Sequence, residues 1–290
     1  MNDTRISWTQ LTWNPMSGCK EISPECAHCY ASTLAEDKRG TAAFPNGFDL
    51  TIRPHKLKEP AKVREPSLIF CNSMSDPGLA ELPDDYRGKI FDAIEGTPRH
   101  RYQMLTKRPE VLLEWFRRTG RRVPPSVWMG VTIGSPHRSS MDRLAALHQF
   151  RALGALVLFV SAEPLLGSLP LDLTGIDWII TGGESGRHAS DPKALRERFL
   201  VERGPDQGWR PREDRLSWLR RLRDEADRAG CAHWFKQFGG PRPTSGGRVL
   251  DGRTHDGMPE HVSGAMPLGY VHEIPVHAAD ARRQLPLIEA

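Results

Sequence analysis

Cys19-Lys-Glu-Ile-Ser-Pro-Glu-Cys26-Ala-His-Cys29-Tyr30 gathers three of the chain's five cysteines into one short stretch, spaced C-x6-C-x2-C. Three thiols on one loop cannot all pair with each other as disulfides. The other two, Cys71 and Cys231, stand singly in apolar runs. Clustered thiolates suit a soft metal centre, either zinc or an iron–sulfur cluster. Structural zinc takes four protein ligands, whereas a cubane cluster on three cysteines keeps one iron open to a cofactor or substrate. The loop therefore reads as a [4Fe–4S] site with Cys19, Cys26 and Cys29 as ligands. The competing reading is zinc with His28 or a distant histidine as fourth ligand. His28 stands between Cys26 and Cys29 and would struggle to reach the ion that both of them hold. A secreted disulfide framework fits worst, because the cysteine count is odd and no signal-peptide pattern is present.

Outward from the loop, an α/β pattern takes shape. The run Leu11-Thr12-Trp13 precedes it, and from about residue 66 to 239 a short apolar run, a polar cluster and a helix-period segment recur. The runs are Leu68–Cys71, Tyr102–Leu105, Val127–Val131, Leu156–Val160, Trp178–Ile180 and Ala232–Phe235. Near-continuous apolar runs of this length read as strands buried on both faces of a parallel sheet. Between them, Pro109 opens a helix that Gly120 stops, with Val111, Leu112, Trp115 and Phe116 on one face. A second helix is expected from Arg138 to Leu153, and a third from Asp214, as N-cap, to Gly230. Alternating strands and helices imply βαβ units, here a partial or full (β/α) barrel, a fold of about 250 residues. The expected division is a barrel over residues 1–240 and a loosely structured extension over 241–290, best anchored at Leu250-Asp251-Gly252-Arg253. Residues 187–211 lack a clear pattern and read as a surface insertion.

Bulk properties narrow the classes. The 290 residues are 38% hydrophobic and carry a net charge of +4, as in a soluble globular protein with a mild basic bias. No apolar stretch is long enough to span a membrane. The expectation is a cytoplasmic protein, in a reducing compartment where thiolate clusters survive. Two arginine-rich runs, 117–122 and 220–223, are candidates for phosphate contact or for solvated helix faces.

In a parallel barrel, chemistry sits where the strands end. The polar residues after the runs are Asn72, Ser73 and Asp76; Thr106, Lys107 and Arg108; Thr132; Ser161 and Glu163; Gly182, Gly183, Glu184 and Ser185; and Lys236 and Gln237. The cysteine loop follows the first run and opens onto the same face. Lys107 and Arg108 put two cations ahead of a helix N-terminus, which itself favours anions. Glu163 and Glu184 put carboxylates where buried strands end, and such groups need partners. The Gly182-Gly183-Glu184 turn reads equally as a plain tight turn or as backbone approaching a ligand.

These residues resemble the radical S-adenosylmethionine (SAM) superfamily, whose three-cysteine loop follows the first strand of a partial (β/α) barrel. The usual spacing there is C-x3-C-x2-C; this chain has C-x6-C-x2-C, with His28 in the place of the usual aromatic and Tyr30 on the far side of the last cysteine. More closely, the chain resembles a three-cysteine family encoded largely by phages and prophages and related to spore photoproduct lyase. The matching stretches are Trp8–Pro15, Cys19–Tyr30, Asn72–Asp76, Leu105–Pro109, Ser161–Pro164, Gly182–Gly186, Phe235–Gln237 and Leu250–Thr254. The resemblance implies a [4Fe–4S] cluster whose open iron chelates SAM, and an electron donor of flavodoxin or ferredoxin type. It further implies that Gly182, Gly183 and Glu184 hold the methionine amino end, that Ser161 or Glu163 engages the ribose or that amino group, and that Tyr30 adjoins the cofactor. Lys107, Arg108 and Lys236 then remain for an anionic substrate. The implied substrate is DNA or a DNA-linked nucleoside. The implied reaction is thymine hypermodification, such as moving an amino acid from nitrogen to carbon; photoproduct-type lyase chemistry is the alternative. A non-catalytic, zinc-stabilised nucleic-acid-binding or interaction protein is the rival from another class.

Overall fold

The computed structural model describes residues 1–4 and 6–259. Seven parallel strands follow one another in space in the order they have in sequence. They are β1 Leu11–Thr12, β2 Leu68–Cys71, β3 Arg101–Thr106, β4 Val127–Thr132, β5 Val157–Ala162, β6 Trp178–Gly182 and β7 Ala232–Gln237. All seven expected runs are strands, and Asn2–Asp3 adds an antiparallel edge beside β1. β1 and β7 do not pair with each other among the described residues, so the barrel is partial.

One side chain shows that the sheet curls. Trp8 packs on Phe70 of β2 at 4.7 Å and on Trp178 of β6 at 6.0 Å between ring centroids. Four strand spacings would put those strands about 19 Å apart in a flat sheet. Successive side chains of a strand point to opposite faces, and here each face has its own core. Phe70, Trp128, Phe159, Trp178, Ile180 and Trp234 fill the concave side with Trp8. Their neighbours Ile69, Met129, Leu158, Ile179 and Phe235 face the helices. Gly130 interrupts the concave row because the Phe159 ring lies where its Cβ would stand, 2.2 Å away.

The helical layer is α1 Tyr30–Asp37, α2 Asp84–Glu95, α3 Pro109–Thr119, α4 Arg138–Met141, α5 Arg143–Gln149, α6 Pro192–Arg198 and α7 Glu213–Ala229. α3 buries Leu112, Trp115 and Phe116 and ends at Gly120 in the left-handed conformation, as the pattern implied. The helix expected over 138–153 is instead two short ones meeting at Asp142. α7 is capped by Arg212; Asp214, expected there, lies in the first turn and pairs with the Arg212 side chain. The segment expected to lack pattern forms a 3₁₀ turn, α6 and a hairpin of Val201–Arg203 with Trp209–Pro211.

Residues 255–257 run along the free edge of β7, where Phe235 N–H donates to His255 and Gly257 N–H to His233. That contact covers an edge that would otherwise present unpaired backbone. Asp251 holds Arg220 and Arg223 of α7, and Leu250 is buried. The remainder of the expected extension, 260–290, lies outside the described residues. No helix among the described residues is long and apolar enough to cross a membrane.

Candidate active site

The period-two alternation that builds the concave core also builds the site. One step beyond Phe70, Leu105, Gly130, Phe159 and Trp234 on that face stand Asn72, Lys107, Thr132, Ser161 and Lys236. All five line a cavity of about 320 Å³ at the carboxyl ends of the strands, together with Cys19, Cys26, Cys29, Tyr30 and Glu163. The topology thus brings together three cysteines and the ends of five strands. Within the cavity, Lys236 Nζ lies 3.0 Å from Glu163 Oε1, and Ser161 Oγ donates to Glu163 Oε2 at 3.4 Å. Lys107 is half-buried, and its ammonium has no acidic partner among the described residues.

Arg108 has a different task from its neighbour. It caps α3, is 8% exposed, and donates from Nη1 to Asp76 Oδ2 at 3.1 Å and to Cys19 Sγ at 3.3 Å. Its Nη2 donates to the Lys20 carbonyl. Asp76 also accepts from Thr106 Oγ1, the Lys107 amide and the Gly78 amide. Arg108, which the sequence offers to an anionic substrate, thus ties the cysteine loop to the turn after β2.

Other groups fasten the rest of the loop. Glu25 Oε1 accepts from the amides of Gly134 and Ser135 at 2.9 and 3.1 Å, just beyond β4, with Arg143 Nη1 at 3.7 Å. Burial pushes the Glu25 carboxyl up, yet the donors around it, the Gly134 amide among them, outweigh burial and hold it below the ordinary value. Arg198 of α6 donates to the Pro24 carbonyl at 3.1 Å and to Glu184 Oε2 at 2.7 Å. Glu184 is 5% exposed, and its Oε1 lies 2.9 Å from His28 Nδ1. His28 stacks on His188 at 3.9 Å. Finally, the exposed Tyr30 ring is tethered by its hydroxyl, which donates to the Ser73 carbonyl at 2.7 Å.

Two of the expected cofactor contacts are made within the chain in this structure. Glu184 joins Arg198 to His28 and does not line the cavity. Gly183 allows close approach, but to the chain itself: its Cβ would lie 2.0 Å from the Phe238 carbonyl oxygen, while Gly182 leaves room for the Glu163 carboxylate. The arginine-rich runs line no part of the cavity; Arg118 and Arg121 pair with acids of α2, and Arg220 and Arg223 with Asp251. Glu25, Arg143 and Arg198 were not anticipated. Glu25 was at least visible as an acid between two of the cysteines, whereas nothing near Arg198 announced its reach.

The donor set suits a thiolate-bound group. Cys19, Cys26 and Cys29 are free thiols facing one cavity, with a guanidinium at one of them. Among the described residues, no three Cys, His, Asp or Glu side chains are placed to hold a single ion together. His28 points at Glu184, not at the thiols' cavity.

A family model matches residues 3–196. The chain belongs to that family, described as a protein of unknown function (DUF5131). The match takes in the cysteine loop and six of the seven parallel strands. No curated protein matches the sequence. Among solved structures, spore photoproduct lyase complexed with dinucleoside spore photoproduct is similar, with a TM-score of 0.52 at 15% identity, covering 81% of this chain and 78% of that one. A cysteine-to-alanine mutant of that enzyme gives 0.52 at 16% identity, again over 81% and 78%. A cysteine-to-serine mutant gives 0.51 at 16% identity over the same shares. The likeness is one of fold, a partial parallel barrel with its helices outside.

Removing Arg198 should loosen the loop. Arg198→Ala leaves Glu184 buried with one anchor fewer, and breaking such a pair costs about 3 kcal/mol. Urea denaturation should show that loss. A thiol reagent under native conditions should label Cys19, Cys26 and Cys29 faster than in the wild type, with the buried Cys71 and Cys231 still protected; unchanged labelling would mean that Arg198 does not hold the loop.

Proposed function

We propose that this chain is a radical SAM enzyme that acts on a DNA-linked nucleoside. The observation that carries the reading is the shared cavity: three thiols of one loop face the strand-end row of Lys107, Thr132, Ser161, Glu163 and Lys236. Cys19, Cys26 and Cys29 would hold a [4Fe–4S] cluster. With SAM on its open iron, such a cluster supplies the one-electron cleavage that starts radical chemistry at an unactivated carbon. An external donor of flavodoxin or ferredoxin type delivers the electron.

The protein's own part is positioning and exclusion of water. The loop is fastened from the ends of β2, β3, β4 and β6, so its thiols meet the cavity in a fixed arrangement. Ser161 and Glu163 present a hydroxyl and a carboxylate, a pair suited to a ribose or an ammonium group. The concave aromatic core closes the cavity from beneath, which keeps water from a reactive intermediate. Lys107 offers a half-buried cation to a substrate anion, and Lys236 is held in reserve by Glu163. Glu184 is read as a positioning residue for the loop through His28, with Gly182 and Gly183 serving chain packing.

A nucleic-acid substrate is supported by the lone cation at Lys107 and by the fold shared with a lyase that was solved with a dinucleoside. A base within a duplex would have to leave the stack to reach this cavity. The finer reading, a thymine hypermodification in which an amino acid moves from nitrogen to carbon, follows the phage-family resemblance. Photoproduct-type lyase chemistry would instead act on a DNA lesion, and mass analysis of the nucleoside products separates the two.

Anaerobic reconstitution should give a brown protein with about four irons per chain. Alanine at Cys19, Cys26 or Cys29 should abolish the cluster absorption, while Cys71→Ala and Cys231→Ala keep it. A colourless protein with one zinc would support the non-catalytic rival.

Lys107→Ala should leave iron content unchanged and weaken DNA binding. Because each neutralised phosphate releases counterions, the slope of log affinity against log salt should fall by about one. A slope equal to that of the wild type would remove Lys107 from substrate contact.

A further inference from the structure

We propose that Arg108 is a positioning residue that sets the reduction potential of the cluster by donating from Nη1 to Cys19 Sγ. This rests on the reading of Cys19, Cys26 and Cys29 as cluster ligands. The three thiols are not equivalent. Cys19 receives a guanidinium N–H at 3.3 Å, Cys26 has the Ser23 hydroxyl at 3.7 Å, and among the described residues neither Cys26 nor Cys29 accepts a hydrogen bond from a charged donor.

The guanidinium is built in, not draped over the surface. Arg108 is 8% exposed, and the Asp76 carboxylate that orients it is itself fixed by Thr106 Oγ1 and the amides of Lys107 and Gly78. Its second nitrogen holds the Lys20 carbonyl, which ties the donor to the loop beside Cys19. A buried cation is costly unless fully partnered. Asp76 supplies one negative partner, and a metal-bound Cys19 thiolate supplies the second.

The direction of the effect follows from charge. One-electron reduction adds a negative charge to the cluster and its thiolates. A nearby cation that donates to a ligand sulfur stabilises that extra charge more than it stabilises the oxidised form. Hydrogen bonds to sulfur and local charge are among the terms that set iron–sulfur potentials. Arg108 therefore raises the potential, which eases reduction by a biological one-electron donor.

The test compares wild type, Arg108→Gln and Arg108→Lys, each reconstituted anaerobically and titrated with dithionite under EPR. The expected result is wild-type iron content in all three, a midpoint shifted to more negative potential in Arg108→Gln, and a smaller shift in Arg108→Lys, which restores the charge without the fork. Equal midpoints at full iron content would overturn the proposal and leave the cluster reading standing. Loss of iron in both variants would also overturn it, by making Arg108 an assembly residue. A wild-type protein that takes up no cluster would bring down the reading of the cysteines, and this proposal with it.

Discussion

The carboxylate of Asp76 is the group on which the arrangement of the site depends. It accepts a hydroxyl, two backbone amides and a guanidinium. Through these it locks the turn after β2 to the turn after β3 and aims Arg108 at the cysteine loop. In a low-dielectric setting such a carboxylate is stable only because all its partners are present together. The same contacts leave Lys107, one residue earlier, with its ammonium uncommitted toward the cavity. Two adjacent cations thus differ in their surroundings: one is bound to the loop and the other lines the cavity.

The loop itself contributes little that could hold a shape. Between Cys19 and Cys29 it has one 3₁₀ turn, Pro24–Cys26, and few internal hydrogen bonds. Its order comes from outside, from Arg108, from the Gly134 and Ser135 amides, from Arg198 and from Ser73. Buried charged contacts of this kind are weak sources of net stability. Their value here lies in geometry, because fixed anchors from several strand ends keep three thiols facing one cavity. The concave aromatic core supplies stability separately, so the rim can be polar without endangering the fold.

The strands were legible because a parallel sheet buried on both faces leaves continuous apolar runs, and all seven carried that mark. The partial closure was not, since it depends on how Trp8 bridges β2 and β6 across the curl. Lys107 could be placed from the alternation along β3, which sets it on the face of Leu105. Arg108 lies one residue further on, at the cap of α3, where alternation no longer determines direction, and its partner Asp76 is thirty-two residues away. Glu184 shows the other limit. A carboxylate after two glycines fits a ligand grip and a structural clamp equally well, and only the approach of Arg198 from α6 distinguishes them. The break at Asp142 and the capping of α7 by Arg212 are local choices that helical periodicity does not register.

The proposed function requires that three thiols on this loop hold a four-iron cluster with one iron left open. EPR of the reconstituted, dithionite-reduced protein with and without SAM decides it. The expected result is a reduced-cluster signal whose g-values change on adding SAM to the wild type, because the added ligand alters the open iron. A reduced cluster whose spectrum is indifferent to SAM, or a protein that binds only zinc, would contradict it.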